Sequence, residues 1–191
     1  MRLVTTPSQT VGPFFHDGLD RPGWADLTSA GASGDKIRVE GRILDGDRAP
    51  VFDAFLEIWQ ANAVGRYAHD EDRQDKALDP HFRGFGRVVT DAEGRYGFTT
   101  IRPGRVPGRG NTLQAPHLNV AIFARGLQKQ LTTRIYFADQ SAANATDPVL
   151  SAIDDAAIRR TLLAAPVDSA IPTYRFDIIL QGEGETAFFE I

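Results

Sequence analysis

Cysteine is absent from the 191-residue chain. That excludes a disulfide scaffold, a cysteine-ligated zinc or iron–sulfur site, and thiol catalysis together. Imidazole is scarce: the chain has only four histidines, His16, His69, His81 and His117, so any metal site would have to draw on Asp, Glu or Tyr as well. No run approaches the roughly 18 apolar residues of a bilayer span. Met1 to Thr10 lacks the apolar stretch and cleavage site of a secretory signal, so the expected location is cytoplasmic. An excess of basic charge is missing too. Against 21 Lys+Arg stand 25 Asp+Glu, a net charge of −4, with both signs interspersed, which argues against a nucleic-acid footprint. There is no phosphate-binding glycine loop after a strand and no Gly-x-Ser-x-Gly elbow.

What remains is an ordinary globular composition, 42% hydrophobic and 24% charged. A chain of this size buries about 70% of its unfolded surface, and residues 1–191 read as a single domain. Residues 1–35 are rich in Pro and Gly and read as an extended arm with turns. Phe14, Phe15 and Trp24 in that arm need a surface to dock on, either the chain's own core or a partner. From Lys36 the pattern turns to strands. Ile37 to Leu44 alternates apolar and polar residues, and Val51 to Gln60 reads as a second strand. His69 to Pro80 is a surface loop. Phe85–Thr90 and Arg95–Thr100 suggest a hairpin across Asp91 to Gly94. Leu118–Ala124 and Leu131–Phe137 suggest another strand pair. Asp147-Pro148 caps a helical stretch, or two short helices, reaching Pro166. Tyr174–Leu180 and Thr186–Ile191 close the chain as strands. The expected fold is all-β, an antiparallel β-sandwich of about eight short strands with an extended arm and one short helical insertion.

Four constellations could carry chemistry. Tyr67, His69, Asp70 and Asp72 stand together past a strand end, where carboxylate and imidazole would suit a hard metal; spacing alone favours a solvated acidic loop. His117 and Asn119 share one face of a strand, which makes half of a two-histidine ligand unit, or simply a hydrogen-bonded pair. Arg125, at a strand end beside Gly126, could clamp a carboxylate with its planar fork. Thr10-Val11-Gly12-Pro13 forms a tight turn whose backbone could face a ligand.

Taken together, Thr6 to His16, Leu56 to Tyr67, Thr90 to Tyr96, Ala115 to Asn119 and Tyr174 to Thr186 resemble the intradiol ring-cleaving dioxygenases, in order and across nearly the whole chain. The resemblance implies a β-sandwich and an enzyme that uses non-haem Fe(III), held by two tyrosines and two histidines, to split a catechol ring with O2. Carried over, the ligand positions fall on Tyr67, Val106, His117 and Asn119, and an arginine near the iron falls on Gln114. Val106 has no donor atom and Asn119 carries no charge, so a trivalent ion would be under-coordinated. The expectation is that this chain holds no metal and has no catalytic residue of its own. It would be the α subunit of an α/β enzyme whose β subunit carries Fe(III), with the active site between them. The aromatic arm then reads as interface. Thr10, Gly12, Pro13 and Arg125 are the implied substrate-binding residues, Arg125 attracting a carboxylate on the aromatic substrate. A stand-alone dioxygenase with an unusual ligand set and a non-catalytic sandwich remain the alternatives.

Overall fold

The computed structural model describes residues 5–190; Met1 to Val4, Ile191 and the side chains of Pro13 and His16 lie outside what is described. The arm carries a helix, α1 (Pro13–Leu19). There follow β1 (Lys36–Leu44), β2 (Phe55–Trp59), β3 (Phe85–Val89), β4 (Arg95–Ile101), β5 (Val106–Pro107), β6 (Leu113–Gln114), β7 (His117–Phe123) and β8 (Leu131–Phe137). Three short helices, α2 (Ser141–Asn144), α3 (Pro148–Ser151) and α4 (Ala156–Arg160), precede β9 (Leu163–Val167), β10 (Thr173–Arg175) and β11 (Ile178–Ile179).

Nine strands join one sheet in the order β11-β1-β10-β9-β8-β7-β2-β3, with β4 also on β1, while β5 and β6 make a separate ribbon. β1 runs antiparallel to β4 but parallel to β10 and β11, and β8 runs parallel to β9. The expected antiparallel sandwich is therefore corrected to a mixed, nearly closed sheet. The expected hairpin is corrected as well. Asp91 to Gly94 does form a tight turn, with Asp91 N–H donating to the Arg95 carbonyl and Gly94 N–H to the Asp91 carbonyl, both at 2.9 Å. Yet β3 pairs with β2 and β4 pairs with β1. The turn joins the two edge strands of the sheet, because turn chemistry sets chain reversal and not which buried row each strand meets.

Alternation does fix which side each strand buries. Ile37, Val39 and Ile43 of β1, Leu56 and Ile58 of β2, and Leu118, Val120 and Ile122 of β7 all point into one core with Phe98, Ile135 and Phe137. Each such side chain contributes about 1.5–3 kcal/mol on burial. Gly41 marks the place where β1 changes parallel partner. A Cβ there would stand 1.8 Å from the Phe176 carbonyl oxygen, which also accepts from the Tyr96 hydroxyl at 2.5 Å. Glycine is what allows that close approach, and at Phe176 the expected strand 174–180 is divided into β10 and β11.

Three further expectations change. The arm is helical over α1, where Pro13 supplies the fixed φ that suits a first turn. The helical stretch ends at Arg160, and Leu163 to Val167 is a strand; its short apolar run fits either structure by period alone, and pairing of Leu163 and Ala164 with Tyr136 and Phe137 decides it. Among the described residues of 186–191, only the Thr132–Phe189 bridge has strand character. The arm's aromatics dock on the chain's own sheet: Phe15 packs 5.4 Å from Phe55 and 5.3 Å from Phe123, and Trp24 packs on Phe85. Phe14 stays 86% exposed. No helix among the described residues is long and apolar enough to cross a membrane.

Candidate functional site

The core side of β7 is filled by Leu118, Val120 and Ile122, so His117, Asn119, Ala121 and Phe123 face the other way. The candidate residues gather at the two ends of that second face. Register does this: Trp59 of β2 and Arg134 of β8 flank Asn119, Tyr136 flanks His117, and Phe55 flanks Phe123.

At the His117 end a cavity of about 820 Å³ is lined by Trp59, Tyr67, Val106, Gln114, His117 and Arg134, among others. The loop after β2 delivers Tyr67. Asn62 organises it, its side-chain oxygen accepting from Val64 N–H at 3.2 Å and Arg66 N–H at 2.9 Å. Gly65 has φ +81°, and a Cβ there would lie 2.0 Å from the Arg105 carbonyl oxygen. Glycine is thus what lets the Tyr67 loop close against the segment carrying Val106. Tyr67 stacks on Trp59 at 5.7 Å, and its hydroxyl accepts from Asn119 Nδ2 at 3.2 Å. Burial raises the Tyr67 phenol above its ordinary value, against the pull of that hydrogen bond and of Arg134, so at neutral pH it is a phenol and not a phenolate.

His117 is buried, with Nδ1 2.8 Å from the Ala115 carbonyl oxygen. Since a carbonyl only accepts, Nδ1 carries the proton and Nε2 keeps a lone pair. Burial and then the charge of Arg134 push its pKa down to about 4, so the ring is neutral. Beneath it, the fully buried Asp147 accepts from Ala115 N–H at 2.7 Å, Val149 N–H at 2.8 Å, Leu150 N–H at 2.9 Å and the Tyr136 hydroxyl at 3.3 Å. It therefore caps α3 and anchors the approach to β7 at once.

His69, Asp70 and Asp72 do not join these residues as ligands. His69 is exposed and its Nδ1 accepts from Glu71 N–H at 3.1 Å. Asp72 accepts from Tyr67 N–H at 2.8 Å and from Gln74; burial raises its pKa, but those bonds outweigh it and hold the carboxyl below its usual range. Asp72 shapes the loop. No group of three or more His, Cys, Asp or Glu among the described residues could hold a metal ion.

The donor set at this end does not fit a ferric ion. Val106 offers no donor, Asn119 turns its amide N–H toward Tyr67 and the Trp59 carbonyl, and Tyr67 is protonated. Arg134 brings a fixed positive charge to the same cavity, bonding Gln114 Oε1 at 2.6 Å. Where the resemblance implies an arginine stands Gln114, and it is Arg134 on β8 that reaches it. Sequence reasoning missed Arg134, and it read Asp147 only as a helix cap. Alternation along β8 puts Arg134 and Tyr136 on one face, but only the register of β8 on β7 brings them to His117 and Asn119.

At the Phe123 end the structure brings Thr10, Gly12 and Arg125 together. Val11, Gly12, Phe15, Phe52, Asp53 and Arg125 are among the residues lining a smaller cavity of about 220 Å³. The Thr10 hydroxyl accepts from Gly126 N–H at 2.8 Å and donates to the Ala124 carbonyl at 3.4 Å, clipping the arm to the strand end. Pro13 opens α1 beside it. Arg125 lies over Phe52 at 5.5 Å and pairs through Nε with Asp53, a partner no spacing pattern suggested. Its two terminal nitrogens make no hydrogen bond among the described residues, which leaves the open side of the fork available to a carboxylate.

Residues 12–182 match the profile of the family described as Dioxygenase. The chain is similar to the protocatechuate 3,4-dioxygenase alpha chain of Pseudomonas putida, 41% identical over 200 residues covering 98% of this chain and 97% of that one. It is also 36% identical to the protocatechuate 3,4-dioxygenase beta chain of Burkholderia cepacia over 185 residues, 94% of this chain and 77% of that one. In fold it is similar to 3-chlorocatechol 1,2-dioxygenase from Rhodococcus opacus 1CP, with TM-score 0.61 and 24% identity over 84% of this chain and 68% of that one.

Proposed function

The chain belongs to the intradiol dioxygenase family, and from that premise we propose that it is the iron-free alpha subunit of a protocatechuate 3,4-dioxygenase. With a beta subunit that holds Fe(III), it serves the O2-dependent cleavage of protocatechuate to 3-carboxy-cis,cis-muconate in the cytoplasm. The observation that carries this reading is a likeness to an alpha chain along nearly its full length, combined with a ligand set broken at Val106 and Asn119. In this reading Arg125 offers its free terminal nitrogens to the substrate carboxylate, while Thr10, Gly12 and Pro13 hold the wall of the pocket. The exposed Phe14 and the docked arm belong to the contact with the beta subunit.

The test is expression of the chain alone and together with such a beta chain. Alone it is expected to purify without iron and to leave protocatechuate intact. The complex should contain iron and open the ring. About one iron per chain in the lone protein would overturn the reading, as would failure of the two chains to copurify.

A further inference from the structure

The cavity around Tyr67 and His117 has lost the means to hold iron, yet it has not collapsed or filled with apolar side chains. Its polar groups form a complementary set. Arg134 is half-buried, spends one nitrogen on Gln114 and Tyr136, and has no carboxylate partner among the described residues. Tyr67 accepts a hydrogen bond from Asn119, and its own proton has no acceptor among the described residues. His117 is buried, with Nδ1 on the Ala115 carbonyl and Nε2 making no hydrogen bond among the described residues. Trp59 and Tyr67 add an aromatic wall. Two carboxylates also line the cavity, but Glu71 faces Arg73 at 4.0 Å and Asp72 is committed to Tyr67 N–H and Gln74. With those engaged, the unpaired cation, one donor, one acceptor and an aromatic surface fit a planar anion with a hydroxyl group.

We propose that this cavity is a second, non-catalytic binding site for a hydroxylated aryl carboxylate, with the carboxylate on Arg134 and the ring hydroxyl between Tyr67 and His117 Nε2. The site stands at the opposite end of β7 from Arg125, so it does not depend on Arg125 meeting the substrate of the complex. It also accounts for retaining Tyr67 and His117 where their metal-ligand partners are replaced.

Calorimetric titration of the purified full-length chain tests it with 4-hydroxybenzoate and its neutral counterpart 4-hydroxybenzamide. Saturable binding of one 4-hydroxybenzoate per chain is expected, with the amide at least tenfold weaker. Arg134→Gln is expected to remove that preference for the acid, and Arg134→Lys, which keeps the charge without the fork, to retain part of it. Tyr67→Phe should weaken both ligands several-fold. Equal affinity for the acid and the amide would overturn the proposal without recourse to any variant. So would the absence of saturable binding, or loss of binding in Arg125→Gln while Arg134→Gln binds as before.

Discussion

One strand carries two pockets of opposite character. His117 and Phe123 lie six residues apart on β7, about 20 Å at strand spacing. At the His117 end the side chains are buried and cross-bonded, and their positions are set by sheet register and by Asp147 below. At the Phe123 end Arg125 is half exposed, sits just past the strand, and is met by an arm that arrives from more than a hundred residues away in sequence. The first pocket is lined by side chains that do not fit a ferric ion. The second holds an exposed guanidinium, paired through Nε with Asp53, just past the strand end. Buried support and an exposed charge stand at opposite ends of a single strand, and each can be disturbed without the other.

The largest effect is expected at the floor of the rigid end. Asp147→Ala leaves three N–H groups, two of them buried, and the Tyr136 hydroxyl without their acceptor, at a cost of about 3 kcal/mol or more. Asp147→Asn keeps an acceptor and should cost less than half of that. Urea denaturation of both variants measures the difference. If Asp147→Ala unfolds at the wild-type midpoint, the floor does not support this pocket, and the contrast between the two ends is lost.

His117 makes the same end acid-sensitive. Its folded pKa is depressed from 6.5 to about 4, so below 6.5 the unfolded chain takes up a proton that the folded chain refuses. Stability is then complete above about 6.5 and falls with pH down to about 4, by up to about 3 kcal/mol. Arg134 opposes protonation from β8, while Asp147 and the Ala115 carbonyl favour it, and burial decides the sign. His117→Leu should flatten the stability profile across that window. A wild-type profile already flat there would show the ring to be charged in the fold.

Much of this contrast could be read before the fold was known, and the limit has a physical cause. Alternation placed His117 and Asn119 on one face, and helix-capping chemistry placed Asp147 at the start of α3. Val106 and Asn119 announced a broken ligand set through their side-chain chemistry alone. Pairing between distant strands was not legible. The turn at Asp91 to Gly94 looks the same whether its strands pair with each other or part to opposite edges of the sheet. Arg134 and Asp53 stayed hidden for the same reason, since one needs the register of β8 on β7 and the other the path of the chain before β2.

At the Phe123 end, the proposed role of Arg125 predicts that Arg125→Ala in the complex removes a charge-assisted contact of about 1.5–3 kcal/mol. KM for protocatechuate is then expected to rise about tenfold to a hundredfold. kcat should change little, because the carboxylate is held alike in ground and transition states. Fold stability should stay within about 0.5 kcal/mol of wild type. Steady-state kinetics over a range of substrate concentrations separates the two constants. An unchanged KM removes Arg125 from the pocket.

The smallest effect belongs to Thr10, and it asks what holds the arm. Its hydroxyl is committed to Gly126 N–H and the Ala124 carbonyl, so it positions the strand end beside Arg125 and has little left for a ligand. Thr10→Val keeps the shape and loses both bonds. Because water can replace the acceptor at this exposed site, the cost in stability is expected to be about 0.5–1 kcal/mol. The Phe15 contacts with Phe55 and Phe123 remain, so the arm should stay docked while the Arg125 loop loosens. KM is then expected to rise only a few-fold, with Thr10→Ser restoring the wild-type value because it restores the hydroxyl. Limited proteolysis of the arm distinguishes the two supports. If cleavage before α1 accelerates as much in Thr10→Val as in Phe15→Ala, the aromatic packing alone does not fasten the arm, and the hydroxyl is as necessary a fixed point at the Phe123 end of β7 as the ring.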